Sequence, residues 1–394
     1  MAKYVKTEQG YVDASIFAPA SFKPEGKSYL TFSSLSSFTL EVNNATKRWD
    51  GTLEYFTSDR TWTTWDGTII LSAHNNDGEY VLYLRGIGNT KITGNGTNKN
   101  WIITGTDIKC IGNIENLLDY ATVASGKHPT MAQYCYSNMF SGCTALTHAP
   151  ALPATTLTNN CYYYMFQDCT SLTQAPALPA TTLGSNCYTG MFSGCTALTH
   201  APALPATTLT NNCYSNMFSG CTALTHAPAL PATTLNQYCY YNMFQGCTSL
   251  TQAPALPATK LVTRCYQNMF SGCTSLKLSS TKTGEYTVAY CIPTTGAGSA
   301  AVNDLQDMFA STGGTFTGTP NIGITYYLST DNMIVRDTEV ATLNGYVGSM
   351  IDAAIDEYAD AAEYIISSST TGSTKKFKIT VDDSGTLTAT EITQ

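Results

Sequence analysis

The chain has 394 residues, only 12% of them charged, and a formal net charge of −8. So sparse and acidic a charge set excludes the basic footprint of a nucleic-acid binder. No apolar run approaches the ~20 residues of a membrane-spanning helix, so no membrane insertion is expected.

The chain starts MAKYVKTEQGYVDASIF, with no apolar stretch behind a basic start. A secretory leader is therefore not expected, and the 14 cysteines are expected to fold in a reducing compartment. Residues 1–27 fit no element and read as an arm that docks on another protein. Residues 28–108 read as an antiparallel β-sandwich. Alternation is visible in Phe38-Thr39-Leu40-Glu41-Val42 and Tyr80-Val81-Leu82-Tyr83-Leu84, and turns are marked at Asp50-Gly51, Asp66-Gly67 and Asp77-Gly78. All four tryptophans (Trp49, Trp62, Trp65 and Trp101) fall here. Core packing is their first reading, and sugar stacking is the reading for any that are exposed.

From residue 129 to 276 the chain repeats itself every 26 residues, six times. Cys135, Cys161, Cys187, Cys213, Cys239 and Cys265 mark one column; Cys143, Cys169, Cys195, Cys221, Cys247 and Cys273 mark another. A fixed period of this size predicts a solenoid whose units bury their faces against their neighbours. Within the unit 161–186, Cys161, Met165, Phe166 and Cys169 fall at i, i+4, i+5 and i+8, the spacing of a helical face. Ser171 to Ala175 reads as a short strand that Pro176 ends, and Ala177 to Leu183 as an extended return. Degenerate caps are expected at Cys110 to Leu118 and around Met308-Phe309. Met308 lies 39 residues after Met269, one period plus 13, so an insertion over about 281–301 is expected.

The cysteines invite three readings. If the segment is helical, the two in one unit stand roughly 12 Å apart, beyond the ~7 Å reach of a disulfide. Neighbouring units bring cysteines within bonding distance, and Cys143 precedes His148 with zinc-like spacing. Gln174 and Gln252 take the histidine position in the second and fifth units, however, and no tight cysteine pair accompanies it. A reduced, buried ladder is expected, without metal or cofactor.

Between 129 and 276 the only charged side chains are Asp168, Lys260 and Arg264. One varying column, on the expected strand, is His148, Gln174, His200, His226 and Gln252. A second varying set follows the Cys-Tyr pair and includes Tyr163, Tyr164 and Tyr241. These are the candidate contact residues for a glycan or protein; the competing reading is one solvated polar face copied from unit to unit. A single acid in the array does not supply the paired carboxylates of glycoside hydrolysis, and no catalytic residue is assigned.

From about Asp337 to Ser367, Val340, Leu343, Val347, Met350, Ala354, Tyr358, Ala361 and Ile365 step as a heptad seam with one stutter. The tail KKFKITVDDSGTLTATEITQ alternates, turns at Asp382 to Gly385 and returns, as a hairpin does. A lone hairpin is marginal in water, so threefold assembly around the preceding helix is expected.

The MFSGCTALT and MFQGCTSLT motifs resemble the aromatic-x-x-Cys-x-x-Leu core of BspA-type leucine-rich repeats, found in bacterial surface proteins and phage proteins. The tail STKKFKITVDDSGTLTATEI resembles the C-terminal module of phage fibre proteins, particularly head-fibre types. The fold expected is multidomain α/β: arm 1–27, β-sandwich 28–108, leucine-rich-repeat solenoid with caps 109–328, helical segment 329–367 and hairpin tail 368–394. Together the resemblances imply a non-enzymatic virion fibre or decoration protein. Such a protein would be homotrimeric, assembled in a bacterial host's cytoplasm, attached to capsid or tail proteins, and would present its solenoid to host-surface glycan or protein. A bacterial BspA-type adhesin is the alternative.

Overall fold

Each repeat sets paired buried residues a four-residue step apart, Cys135-Tyr136 then Met139-Phe140 then Cys143, all nearly fully buried. The computed structural model describes residues 22–26, 29–43, 47–95, 100–292 and 303–335 with their side chains. It also gives the backbone of strands Tyr4–Thr7, Gly10–Asp13, Tyr364–Ser367, Lys376–Val381 and Leu387–Ile392. It meets the four-residue step with turns. Tyr134, Asn138 and Gly142 have φ of 62°, 57° and 78°, and the second unit repeats this at Asn160, Tyr164 and Asp168. The same three places are left-handed in every unit, through Asn303, Asp307 and Ser311.

A left-handed residue at every fourth position is incompatible with an α-helix. The helix expected in each unit is therefore replaced by three successive turns. Met139 N–H donates back to Tyr136 O at 3.1 Å and Cys143 N–H to Phe140 O at 3.0 Å. Between them, Tyr136 N–H reaches forward to Cys161 O and Phe140 N–H to Met165 O, both at 2.9 Å. Alternate donors thus close a turn and join the next rung, which satisfies the backbone while cementing the stack. The α/β expectation is corrected accordingly: the chain is mostly β with few helices, and Asn116–Ala124 is the α-helix among the described residues. The leucine-rich repeat itself stands.

The expected strand is thin for the same kind of reason. Proline two residues beyond the column stops the ladder, so Gln174 bridges His200 and His200 bridges His226 as single parallel pairs. Only the ends widen into strands, Leu146–His148 and Gln252–Pro254. Inside, Tyr136, Tyr162, Tyr188, Tyr214, Tyr240 and Tyr266 stack with centroids 5.6–5.9 Å apart. Phe140, Phe166, Phe192, Phe218, Phe244, Phe270 and Phe309 stack at 5.4–5.7 Å.

Both ends of the Phe column are closed. At the start, Phe32 and Trp101 meet Phe140 at 6.2 and 6.1 Å. They come from two antiparallel sheets, one built on Leu30–Ser34, Glu79–Ile87, Thr52–Phe56 and Trp62–Trp65, the other on Trp101–Thr104, Thr39–Val42 and Leu71–Ser72. The first sheet continues through Ile108–Ile111 into the parallel strand Leu146–His148 of the first rung. One buried cluster therefore runs unbroken from Leu30 to Leu328, across the boundary expected at 108. At the far end, residues 303–311 form a seventh layer, with Tyr266 N–H donating to Asp304 O and Phe270 N–H to Met308 O. Tyr290 and Phe316 then cover Phe309 edge-on at 6.1 and 6.4 Å.

In the segment 329–367, expected to be helical, two stretches are strands. Met333–Val335 pairs in parallel with Gln252–Pro254, and Tyr364–Ser367 pairs with Lys376–Ile379. Ile334-Val335 and Tyr364-Ile365-Ile366 are β-branched and aromatic runs that suit a pleated ladder. Of the expected heptad seam, Val340 to Ala361 lies outside the described residues, and Ile365 is in the strand Tyr364–Ser367. In the tail, Lys376–Val381 pairs antiparallel with Leu387–Ile392 from Lys376↔Ile392 to Val381↔Leu387. Of the arm, Tyr4–Thr7 pairs with Gly10–Asp13. Phe22 packs on Phe56, His74 and Tyr83, and its N–H donates to Asn76 Oδ1 at 2.9 Å.

Candidate functional site: the faces of the repeat array

The thiols form a ladder of their own. Cys169 Sγ donates to Phe140 O of the preceding rung at 3.1 Å, and Cys195, Cys221, Cys247 and Cys273 repeat the contact at 3.0–3.1 Å. Cys143 makes it with Trp101 O at 3.3 Å, so the N-terminal sheets serve as the rung before the first. This position selects a small apolar side chain that still carries a donor, which is what cysteine is. All 14 cysteines are free, and 13 are buried. Among the described residues no three His, Cys, Asp or Glu side chains gather where a metal ion would sit. Burial pushes the Cys143, Cys213, Cys265 and Cys273 thiols up to about 12. In a thiol-reagent assay at pH 7–8, exposed Cys291 should react alone and at once. The other 13 should react only as the chain unfolds; early reaction of several would contradict the buried ladder.

The varying column lies on the bridge line. His200 and His226 stack with ring centroids 4.6 Å apart and planes 17° from parallel. Thr225 Oγ1 donates its proton to Thr199 O at 3.3 Å, so the Thr225 hydroxyl oxygen accepts from His226 Nδ1–H at 2.7 Å. Neutral His226 therefore presents Nε2 as an acceptor. His148 and His200 each lie 3.0 Å from their own preceding threonine hydroxyl. Gln174 is exposed and Gln252 half-buried. Burial first, and the charge of His200 second, hold the His226 pKa below its ordinary value of 6.5. A His200→Gln variant should therefore move the His226 titration, followed by imidazole NMR, back upward; an unmoved titration would show that the two rings do not interact electrostatically.

The tyrosine set sits on the turn run, a different segment of the rung. Tyr163 and Tyr164 meet edge to face at 4.5 Å, and Tyr241 packs on Tyr238 at 5.8 Å, over which the Arg264 guanidinium lies at 5.4 Å. Tyr164 lies over Gly190 of the next rung, where a Cβ would collide with its ring. The Asp168 carboxylate occupies the same place over Gly194. Among the described residues no ring contact joins the histidine column to the tyrosine set. The candidate residues thus make two separate polar-aromatic lines rather than one pocket.

A stack of near-identical rungs, joined rung to rung by backbone hydrogen bonds and closed at both ends, is a repeat protein in the architectural sense. The family comparison agrees: the BspA type leucine-rich repeat region, in six copies, matches residues 115–251 and 188–291. The array is a BspA-type leucine-rich repeat region. No curated protein and no solved structure matches the chain.

One recess lies outside the array, against the strand Trp62–Trp65 and the helix Asn116–Ala124. Its Arg85 and Tyr120 were not singled out from sequence. Of its lining residues, Trp62 is one of the four tryptophans for which the sequence suggests sugar stacking where exposed.

Proposed function

We propose that this chain is a non-enzymatic recognition and structural protein, a fibre or decoration protein of a bacteriophage virion, that presents its repeat array to host-surface glycan or protein. In this reading the stacked rungs form a solenoid and the two N-terminal sheets a sandwich-like cap. The observation that carries recognition over catalysis is the surface of the array. Over residues 129–276 it carries three charged side chains, one of them acidic, and displays instead ordered columns of hydroxyl, amide, imidazole and phenol groups. Such columns suit many weak, neutral contacts along a line, the manner in which repeat proteins bind.

The virion reading is supported by the likeness of STKKFKITVDDSGTLTATEI to fibre-protein tails, whose strands Lys376–Val381 and Leu387–Ile392 are joined by Tyr364–Ser367 in a three-stranded antiparallel sheet. So small a sheet gains most from packing against copies of itself, which is the basis for assigning a homotrimer bound to capsid or tail proteins. Mass spectrometry of purified particles should find the chain in stoichiometric amount, and light scattering should give three times the chain mass. Absence from particles, with recovery on bacterial cell surfaces, would favour the alternative, a BspA-type adhesin. Shortening of host polysaccharide by the purified chain would overturn the non-enzymatic assignment.

A further inference from the structure

Trp62 and Trp65 are three apart on one strand, so they face opposite sides of the sheet. Trp65 is fully buried in the core. Trp62, half-buried, stands on the outer face, packed on Phe56 at 5.3 Å and Tyr29 at 6.2 Å. On that face Arg85 extends from the strand Glu79–Ile87, and its guanidinium carbon lies 4.2 Å from the ring centroids of both Trp62 and Tyr120. Its Nε donates to Glu54 Oε2 at 2.7 Å, from the residue opposite it on the neighbouring strand. Three strands and a helix thus fix one arginine that is only 20% exposed. Among the described residues only Nε of the Arg85 guanidinium makes a hydrogen bond, and the planar group is held between two rings.

Arg85 lines a cleft of about 170 Å³ together with Glu25, Tyr29, Trp62, Tyr120 and Ala124. The volume suits one ring-sized ligand; drug-sized ligands need ~300 Å³ or more. Glu54 already neutralises Arg85, and Glu25 adds a negative charge, so a full anion gains little here. The groups on offer are flat N–H donors, a carboxylate acceptor and aromatic surface. A pyranose uses all three: its hydroxyls bridge donor and acceptor while its C–H groups meet the ring surface that the Arg85 guanidinium leaves uncovered.

We propose that this cleft binds a single neutral hexopyranose, as the terminal unit of a glycan. The site is independent of the repeat array and of the virion reading. Ligand-observed NMR on the full chain, with methyl glycosides of glucose, galactose, mannose and N-acetylglucosamine, tests it. At least one should show saturation transfer from the protein. Glu25→Ala, an exposed change that leaves the fold alone, should weaken that sugar about tenfold, the loss of one charge-assisted hydrogen bond. Arg85→Lys, which keeps the charge but not the planar edge, should abolish the signal with the circular-dichroism spectrum unchanged. Should Arg85→Lys unfold the chain, Glu25→Ala alone decides. No binding by any of the four, binding indifferent to Glu25→Ala, or preference for glucuronate over glucose would each overturn the assignment.

Discussion

A chain lacking residues 213–238 should fold to a stack one rung shorter, whereas a chain lacking only 213–225 should fail to fold. The first deletion joins Asn212 to Cys239, replacing one left-handed residue, Tyr238 at φ 58°, by another, Asn212 at φ 54°. Tyr188 N–H then meets Cys239 O in place of Cys213 O, and Phe192 N–H meets Met243 O in place of Met217 O. Every column closes up, and the loss is one rung in a nearest-neighbour sum. The half-rung deletion removes the same Tyr214, Met217, Phe218 and Leu224, all nearly fully buried, but leaves the return segment to hold the neighbouring rungs apart. Those four side chains are each worth ~1.5–3 kcal/mol of burial, together comparable to a whole domain's net stability of ~5–15 kcal/mol. The gap would also expose Phe192 and Phe244. Circular dichroism and thermal melts distinguish the outcomes, and equal stability of the two deletions would show that register does not matter. Deleting 187–212 instead should be worse than deleting 213–238. It would slide Asn216, with its Cβ, beneath the Tyr164 ring, where Gly190 now leaves room.

The repeat is legible in sequence because each rung meets only copies of itself, so a selected core position reappears every 26 residues. Its local conformation is less legible, for a definite reason. Buried pairs four apart, as in Cys161-Tyr162 and Met165-Phe166, satisfy a helical face and a run of four-residue turns equally well. What separates them lies in the residues between: Asn138 and Gly142, Asn186 and Gly190, Asn212, Asn216 and Gly220 all occupy left-handed positions. Asparagine and glycine at that step are the types that enter this region at least cost. The sequence carried the signal, but Tyr164, Asp168 and Arg264 at equivalent places obscure it within any one unit.

Other features depend on contacts that no local pattern records. The N-terminal sheets act as the first layer of the stack through Trp101 O on the Cys143 thiol and Phe32 on Phe140. Nothing in the spacing of those residues announces it. The Arg85 clamp draws on Glu54, Trp62 and Tyr120 from three different elements, and only Trp62 was visible as a candidate. The strand Met333–Val335 has a locally β-prone sequence, but the parallel edge it pairs with at Gln252–Pro254 is far away in the chain.

Raising the pH from 7 to 11, anaerobically and with reductant present, should unfold the chain cooperatively at a midpoint between about 9 and 11. Well below pH 9, the ordinary thiol value, both folded and unfolded chains keep their thiols protonated, and stability is unaffected. Above it the unfolded chain releases thiol protons that the folded chain retains, so the unfolded state gains. The loss continues until the folded thiols themselves ionise, near 12 for Cys143, Cys213, Cys265 and Cys273. Each such thiol removes up to about 1.4 kcal/mol per pH unit in that window. The four together then remove ~4 kcal/mol between pH 9 and 10 and ~5 more by pH 11, within the range of ordinary net stability. Burial also pushes up Cys110, Cys135, Cys169, Cys187, Cys195, Cys221, Cys239 and Cys247, so they act in the same direction. The stacked tyrosines, from Tyr136 to Tyr266, follow above their ordinary value of 10. Tyrosinate absorbance should therefore rise in one step with the loss of near-ultraviolet dichroism, rather than gradually around pH 10. A chain that keeps its dichroism for hours at pH 11.5 would show that the cysteine ladder is far less buried than its geometry requires.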